Sequence, residues 1–148
     1  MAGRLAGIAS KARKGAAIVP VDRATVTTET GVSGDFRGRQ KNRQVTVLFA
    51  EDWAAAVAHL DPEAPWTIRR ATLLVSGVRN RKRAGDVLAI GSVRLKVTGE
   101  TEPCARMEAQ LPGLWDALTP DWRGGVTARV IAGGEIAVGD EARWEAAD

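Results

Sequence analysis

Short segments of alternating or continuous apolar residues, separated by turn residues, recur along almost the whole chain. The clearest alternation starts at Val93, with Leu95 and Val97 on the same side and Arg94 and Lys96 on the other. A period of two is typical of a β-strand with one buried face. Comparable segments predict further strands at residues 17–21, 24–28, 44–50, 72–75, 87–90, 126–131 and 136–144.

The apolar spacing becomes helical at two places. The first is the segment 51–60, in which four apolar residues share one helical face: Trp53, Ala56, Val57 and Leu60. The second follows Cys104 and falls into two pieces separated by Pro112 and Gly113. Its inward-facing residues are expected to be Leu114, Trp115 and Leu118. Seven or eight short strands with two or three small helices predict a mainly β fold, namely an antiparallel barrel that is closed or nearly closed.

Length and composition are typical of one globular domain, which we expect to cover residues 1–148. The chain has 148 residues, of which 45% are hydrophobic and 26% charged, so it can bury a core and is not of the disordered class. No apolar run approaches the roughly 18 residues of a membrane span, and no signal peptide is evident. One cysteine cannot form an internal disulfide, which is typical of reducing compartments. We therefore expect a cytoplasmic protein without membrane contact.

The net charge of +3 is unevenly distributed. Residues 1–43 contain nine Lys and Arg against three Asp and Glu, and residues 69–83 contain basic residues without any acid. Such clusters attract phosphates or nucleic acid, although charge runs are more often solvated surface. A nucleic-acid-binding barrel is one alternative interpretation. It is disfavoured because no aromatic residue for base stacking lies within residues 69–83.

Cys104, the only cysteine, follows the best strand and comes directly after Pro103. Proline is tolerated in the first turn of a helix, and a thiol in that turn lies at the positive end of the helix dipole, which favours thiolate. The neighbouring carboxylates of Glu100 and Glu102 oppose this. A lone cysteine is also often a small buried apolar residue. The spacing by itself leaves both interpretations open.

Other catalytic and metal-binding patterns are absent from the sequence. The only histidine, His59, lies on the predicted helix 51–60 and is interpreted as a residue of its polar face. One histidine and one cysteine provide neither a Ser-His-Asp triad nor a zinc site. The glycine-rich loop 31–38 lacks the Gly-Lys-Ser/Thr ending of a phosphate-binding P-loop, although its glycines let backbone N–H groups approach an anion.

Five motifs, in this order, resemble the MOSC domain, the family named for the C-terminal part of molybdenum cofactor sulfurase. They are Gly-Asp-Phe-Arg-Gly at 34–38, Arg-Ala-Thr-Leu-Leu-Val-Ser-Gly at 70–77, Gly-Asp-Val-Leu-Ala-Ile-Gly at 85–91, Thr-Glu-Pro-Cys at 101–104, and the glycine-containing segments 123–125 and 134–140. The resemblance covers roughly residues 5–145 and places Cys104 in the cysteine position of the family.

The resemblance implies a β-barrel-like fold that binds the molybdenum cofactor (molybdopterin) through Arg37, Arg70, Thr72, Ser76 and Cys104. Cys104 is implied as the molybdenum ligand or as the sulfur that carries a persulfide. The implied function is cofactor binding or sulfur transfer, and the alternative is a small molybdenum oxidoreductase that reduces N-hydroxylated compounds. Either function implies a partner that donates sulfur or electrons. Pyridoxal phosphate is not expected, because the sulfurase domain that binds it has no counterpart in this sequence.

Two positions depart from the family pattern. Phe36 and Arg37 occupy the Gly-Asp-x-x-Gly loop in which relatives often carry histidine, so a histidine-dependent step is not implied for this chain. Thr72 stands where asparagine is common, which still leaves a polar side chain at that position.

Overall fold

The computed structural model describes residues 2–146, which form eleven β-strands and three short α-helices. The strands are β1 Gly3–Ser10, β2 Val19–Val21, β3 Arg23–Thr27, β4 Gly31–Val32, β5 Val45–Phe49, β6 Leu73–Ser76, β7 Val87–Ile90, β8 Val93–Glu100, β9 Val126–Ala132, β10 Gly134–Ala137 and β11 Glu141–Trp144. The helices are α1 Ala50–Val57, α2 Ala105–Gln110 and α3 Leu114–Leu118. Strands account for 37% of the residues, and the α-helices together with three 3-10 helices account for 21%, so the predicted mainly β class is confirmed.

Seven strands form a closed barrel in the order β11-β7-β8-β9-β5-β6-β1, and pairing of β1 with β11 closes it. A separate three-stranded sheet, β10-β3-β4, lies beside the barrel, and β2 pairs with β1. The barrel differs from the expected antiparallel one in that β5 and β6 are parallel. The reason is that α1 and a 3-10 helix, Trp66–Arg69, form a crossover between these two strands. The predicted barrel is confirmed, with mixed strand orientation.

Two apolar clusters hold the fold together. Inside the barrel, Val93, Leu95 and Val97 of β8 are buried, as their alternation predicts. The second cluster forms between the strands and the helices, where Leu48 packs with Trp53 of α1 among others. The helices therefore pack on one side of the barrel, and the loops that join them to the strands surround the site described below.

The predicted single strand 136–144 is wrong. The structure has β10 up to Ala137 and β11 from Glu141, with a turn between them. In this turn the Ala137 N–H donates to Asp140 Oδ2 at 2.9 Å, and Gly139 has a φ of 102°, a conformation that glycine adopts without strain. The two strands then join different sheets.

The predictions that Trp115 faces inward and that Leu60 shares the apolar face of the helix were wrong. Leu114 and Leu118 are buried, as expected, but Trp115 is 43% exposed. In a helix the positions i and i+4 share a face, whereas i+1 lies on another. Leu60 is 38% exposed because α1 ends at Val57 and the chain leaves the helix before it. His59 is exposed, as predicted.

β1 was not among the predicted strands, because Gly, Ala and Ser make up much of its sequence. Most of the other predicted strands lie within about three residues of their expected bounds. Among residues 2–146, no helix is long and apolar enough to cross a membrane. The predicted domain 1–148 extends to Met1, Ala147 and Asp148, which lie outside the described residues, and cytoplasmic location stays a prediction.

Candidate functional site

A cavity of about 530 Å³ lies where the end of β1 meets the segments 36–43, 69–72 and 101–106. Its size is within the range of small-molecule sites. Glu102 is its one acidic lining residue, whereas seven lining residues are basic: Lys11, Lys14, Arg37, Arg43, Arg69, Arg70 and Arg106. The thiol-bearing Cys104 lines the same cavity. The arrangement therefore combines a strong positive potential with one soft nucleophile.

Arg70 follows the 3-10 helix Trp66–Arg69 and adopts a left-handed conformation, with a φ of 68°. Two backbone hydrogen bonds hold it there. Its N–H donates to the Thr67 carbonyl at 3.0 Å, and its carbonyl accepts from Arg37 Nη1 at 2.6 Å. The Arg70 guanidinium, in contrast, makes no hydrogen bond or ion pair with the part of the chain that the structure describes. Its donors are therefore available to an anion in the cavity.

Arg37 connects three segments around the cavity. Its Nε donates to both carboxylate oxygens of the buried Asp35, at 2.9 and 3.2 Å. Its Nη1 donates to the Arg70 carbonyl, and its Nη2 donates to the Ala9 carbonyl at 3.4 Å. Because most of its donors are used by the protein, Arg37 holds Arg70 in place, and its implied contact with a cofactor stays a prediction.

Lys11 is a site residue that the sequence did not single out, although it belongs to the basic N-terminal segment. It follows β1 directly, and the residue is only 3% exposed. Its Nζ lies 5.6 Å from the centroid of the Phe36 ring and has no hydrogen bond or ion pair among residues 2–146. Burial lowers the pKa of Lys11, and so do the positive charges of Arg70, Arg106 and Arg37, while Asp35 opposes them. The side chain of Lys11 is thus largely covered, while its ammonium group opens to the cavity without an ion-pair partner in the described part of the chain, which indicates an anion-binding position.

Thr72 directly precedes β6, and Ser76 is the last residue of that strand. Thr72 lines the cavity, where its Oγ1 accepts from the Thr46 N–H at 3.2 Å and lies 3.2 Å from Thr46 Oγ1. Its hydroxyl therefore ties β6 to β5 at the cavity wall. Ser76 is four residues further, about 13 Å along a strand, and does not line the cavity. The cavity thus brings together Arg37, Arg70, Thr72 and Cys104 of the sequence-predicted residues, but not Ser76.

Cys104 is the residue that precedes α2, with a φ of −129°, and is not within the first helical turn as expected. It is half-buried, between the cavity and the apolar cluster around Met107. Because α2 has only six residues, its dipole is small, and the charges around Cys104 come mainly from side chains. One of these side chains is the buried Arg69, which interacts electrostatically with Cys104.

Arg69 holds the segment that leads to Cys104. The residue is 4% exposed and donates to three carbonyls: Gly124 and Thr101 at 3.0 Å each, and Glu102 at 3.1 Å. Burial lowers the pKa of Arg69 to about 10, and the nearby Cys104 sulfur acts in the opposite direction. Gly124 is required at this contact, because a Cβ there would lie 2.7 Å from the Thr101 carbonyl.

Thr101 has the one buried side-chain oxygen or nitrogen without a hydrogen-bond partner within residues 2–146. It lines the cavity beside Cys104. The same part of the chain contains no group of three or more acidic, histidine or cysteine side chains that could hold a metal ion. A metal bound at Cys104 would therefore have to bring most of its ligands with it. Free cations, one thiol and an unpaired hydroxyl fit an anionic cofactor whose metal has ligands of its own.

Comparison with known proteins agrees with this fold. YuaD from Bacillus subtilis has a TM-score of 0.82 at 17% identity, over 100% of this chain and 98% of that chain. YiiM from Geobacillus stearothermophilus has a TM-score of 0.77 at 16% identity, over 97% of this chain and 75% of that one. YiiM from Escherichia coli has a TM-score of 0.69 at 16% identity, over 98% and 71%. At these identities the likeness shows the fold alone.

Sequence comparison shows the family. No curated protein matches the chain. The family model of the MOSC domain, in contrast, matches residues 33–143, well over half of the 148 residues. The matched range includes Arg37, Arg70 and Cys104 but begins after Lys11. The chain therefore belongs to the MOSC domain family, which is associated with the molybdenum cofactor.

Proposed function

We propose that this protein binds the molybdenum cofactor in the cationic cavity and uses Cys104 as the ligand of molybdenum or as the carrier of a persulfide sulfur. One observation carries the proposal: a single cavity combines Cys104 with two cations, Lys11 and Arg70, that have no partner among residues 2–146. A phosphate group would supply the missing counter-charge, and a soft metal or a sulfane sulfur would suit the thiol.

Different residues of the cavity have different roles in binding. Lys11 and Arg70 hold the phosphate, and Arg37 keeps Arg70 in its left-handed position through the Arg70 carbonyl. Arg69 fixes the segment before Cys104 and so sets the direction of the thiol. The cofactor, when bound, supplies the redox or sulfur chemistry of its metal centre. Thr72 contributes through the wall it forms with Thr46, because its hydroxyl already has partners there.

Sulfur transfer to Cys104 from a persulfide donor needs no oxidant. The Cys104 thiolate attacks the outer sulfur of the donor persulfide, the S–S bond of the donor breaks, and the donor leaves as a thiolate. The product is a persulfide on Cys104. Because Cys104 is the only cysteine of the chain, no second thiol of this chain can displace that sulfur, and release requires an acceptor from outside. The donor and the acceptor are the implied partners.

The direct test is to purify the protein from a host that makes the molybdenum cofactor and from one that cannot make the pterin. Molybdenum is measured by mass spectrometry, pterin by fluorescence after oxidation, and persulfide by the mass of the Cys104 peptide. Pterin with molybdenum, or persulfide on Cys104, is the expected result from the first host. If the protein then also reduces N-hydroxylated compounds with an added electron donor, the oxidoreductase alternative is correct. Protein that contains none of these groups contradicts the proposal.

Lys11→Met and Arg70→Ala are each expected to weaken binding of inorganic phosphate by about 1.5–3 kcal/mol, the scale of a hydrogen bond to a charged group. Neither cation has a hydrogen bond or ion pair to lose among residues 2–146, and methionine keeps the packing of Lys11 on the Phe36 ring, so the melting temperature should fall little. Isothermal titration of the apo protein measures the affinity. Lys14→Met is the matched control, because Lys14 lines the same cavity but is exposed. An unchanged affinity in both variants would remove these residues from the site.

The phosphate affinity should also depend on pH in a defined direction. The pKa of Lys11 lies below its usual value of 10.5 because of burial and the neighbouring arginines. Lys11 therefore loses its proton at a lower pH than an exposed lysine does. Binding that uses its charge should weaken as the pH rises through this lowered pKa, and the weakening should be smaller in Lys11→Met. An equal pH dependence in the variant would contradict the role of Lys11.

A further inference from the structure

We propose that Thr101 determines which molecule binds beside Cys104, by forming a hydrogen bond from its side-chain hydroxyl to the bound molecule. The inference rests on the proposed function, since it concerns the same cavity, and it adds a residue to which neither the resemblance nor the charge pattern assigns a role. Thr101 opens the Thr-Glu-Pro-Cys motif that ends at Cys104.

The hydroxyl of Thr101 lacks, within the described residues, a hydrogen-bond partner that a bound ligand would supply. The residue is 6% exposed, and its Oγ1 is buried without a hydrogen-bond partner among residues 2–146. Buried polar groups in proteins nearly always have a partner, because an unmet hydrogen bond costs stability. Valine has the same shape and would avoid that cost. A hydroxyl at this position therefore indicates a partner that is outside the chain.

The backbone of Thr101 is held in place through both of its polar groups. Its N–H donates to the Gly125 carbonyl at 2.9 Å, and its own carbonyl accepts from Arg69 Nη2 at 3.0 Å. Both backbone groups are thus bound on different sides of the residue. A β-branched side chain also has few rotamers. Thr101 is therefore held at the wall of the cavity before any ligand arrives, and rotation about its Cα–Cβ bond would turn the covered hydroxyl toward a bound molecule.

The charges of the cavity show which part of a ligand Thr101 would contact. Lys11 interacts electrostatically with Arg70, Arg106 and Arg37, and these cations form the anion-binding end. Arg69 interacts instead with Cys104 and Arg43, and it is Arg69 that holds the Thr101 backbone. Thr101 also lies only three residues before Cys104 in the chain, and both line the same cavity, so Thr101 belongs to the thiol end. It recognises a hydrogen-bonding atom of the bound molecule near Cys104, and not the phosphate.

The test compares Thr101→Val, which removes only the hydroxyl, with Thr101→Ser, which keeps it. In the apo protein, Thr101→Val should melt at the same or a higher temperature than the wild type, because an unsatisfied hydroxyl is replaced by a methyl group. In protein loaded by a cofactor-producing host, pterin should be released about tenfold faster from the valine variant, whereas the serine variant should stay close to the wild type. Release is followed by pterin fluorescence after gel filtration at fixed times.

The affinity for inorganic phosphate distinguishes the anion-binding end of the cavity from the thiol end. Its affinity should be unchanged in Thr101→Val but lowered in Lys11→Met, since only Lys11 belongs to the anion-binding end. If the valine variant and the wild type release pterin at the same rate, the inference is overturned and the proposed function stays intact. This result is expected if only water pairs with the hydroxyl. A valine variant that melts clearly lower than the wild type also overturns it, because the hydroxyl then has a structural partner. Wild-type protein that holds no pterin overturns the proposed function and this inference with it.

Discussion

Arg69→Met is expected to lower the free energy of unfolding by about 2–4 kcal/mol, because it removes the one donor group shared by three carbonyls. The Arg69 guanidinium binds the carbonyls of Gly124, Thr101 and Glu102 within 3.1 Å. A buried acceptor that loses its partner costs about 1–3 kcal/mol. The Glu102 carbonyl is less buried and can turn to water, so the full sum of three such costs is not expected.

An opposing effect limits the loss. Burial lowers the pKa of Arg69 to about 10, which means that the fold bears a desolvation cost for this charge at neutral pH. Methionine removes that cost and fills similar volume. We expect the cost of the lost hydrogen bonds to exceed the desolvation cost that methionine removes. Several carbonyls would remain buried without a partner, whereas the desolvation cost of the single guanidinium is already reduced by its hydrogen bonds to those carbonyls.

Urea denaturation followed by tryptophan fluorescence measures the change, with Arg39→Met as the matched control. Arg39 is exposed and makes no hydrogen bond or ion pair with residues 2–146, so its replacement should change stability by less than about 0.5 kcal/mol. Arg69→Lys should lie between the two, because an ammonium cannot reach carbonyls on two sides as a planar guanidinium does. Equal stability of the Arg69 and Arg39 variants would show that the carbonyls find other partners.

The sequence predicts the barrel well because its alternation and its turns are local signals. The alternation of residues 93–97 predicts a strand, and the structure has β8 there with the expected buried face. The break at Gly139 was missed because apolar residues continue on both sides of it, although Gly139 and Asp140 are both turn residues and form the turn in the structure. The parallel pairing of β5 with β6 was not foreseeable from alternation, which is the same in both orientations.

The sequence predicts those residues of the candidate site that lie in family motifs. Arg70, Thr72 and Cys104 lie in family motifs, and the structure places all three at one cavity. Lys11 and Thr101 could not be assigned in this way, because what distinguishes them is the lack of a partner. That property depends on which groups from distant segments come near them, and no local pattern encodes it. Ser76 shows the reverse case, in which a motif residue lies away from the cavity.

Cys104→Ser should abolish molybdenum ligation and persulfide formation, and this is the largest functional effect expected of any substitution in this protein. Serine keeps the size of the side chain, but its hydroxyl is not ionised near neutral pH, cannot form a persulfide and is a poor ligand for soft metals. The cofactor can still enter through Lys11 and Arg70 with the ligands that its metal already has, so pterin and molybdenum should fall together and only in part, whereas the persulfide should be lost completely. Elemental analysis and pterin fluorescence of the same sample measure the first two, X-ray absorption shows whether a protein sulfur ligates molybdenum, and the mass of the peptide with residue 104 measures the persulfide.

The stability of the serine variant decides whether the thiol belongs to the site or to the core. Cys104 is half-buried and lines the cavity, although it also touches the apolar cluster of Met107. A thiol directed at the cavity contributes little to packing, so the melting temperature should change by no more than about 2 °C, which for a chain of this size corresponds to about 0.5–1 kcal/mol. The native apo protein should also react with iodoacetamide at Cys104. If alkylation requires denaturation and the serine variant melts much lower, the thiol is structural, and sulfur and molybdenum chemistry at Cys104 is ruled out.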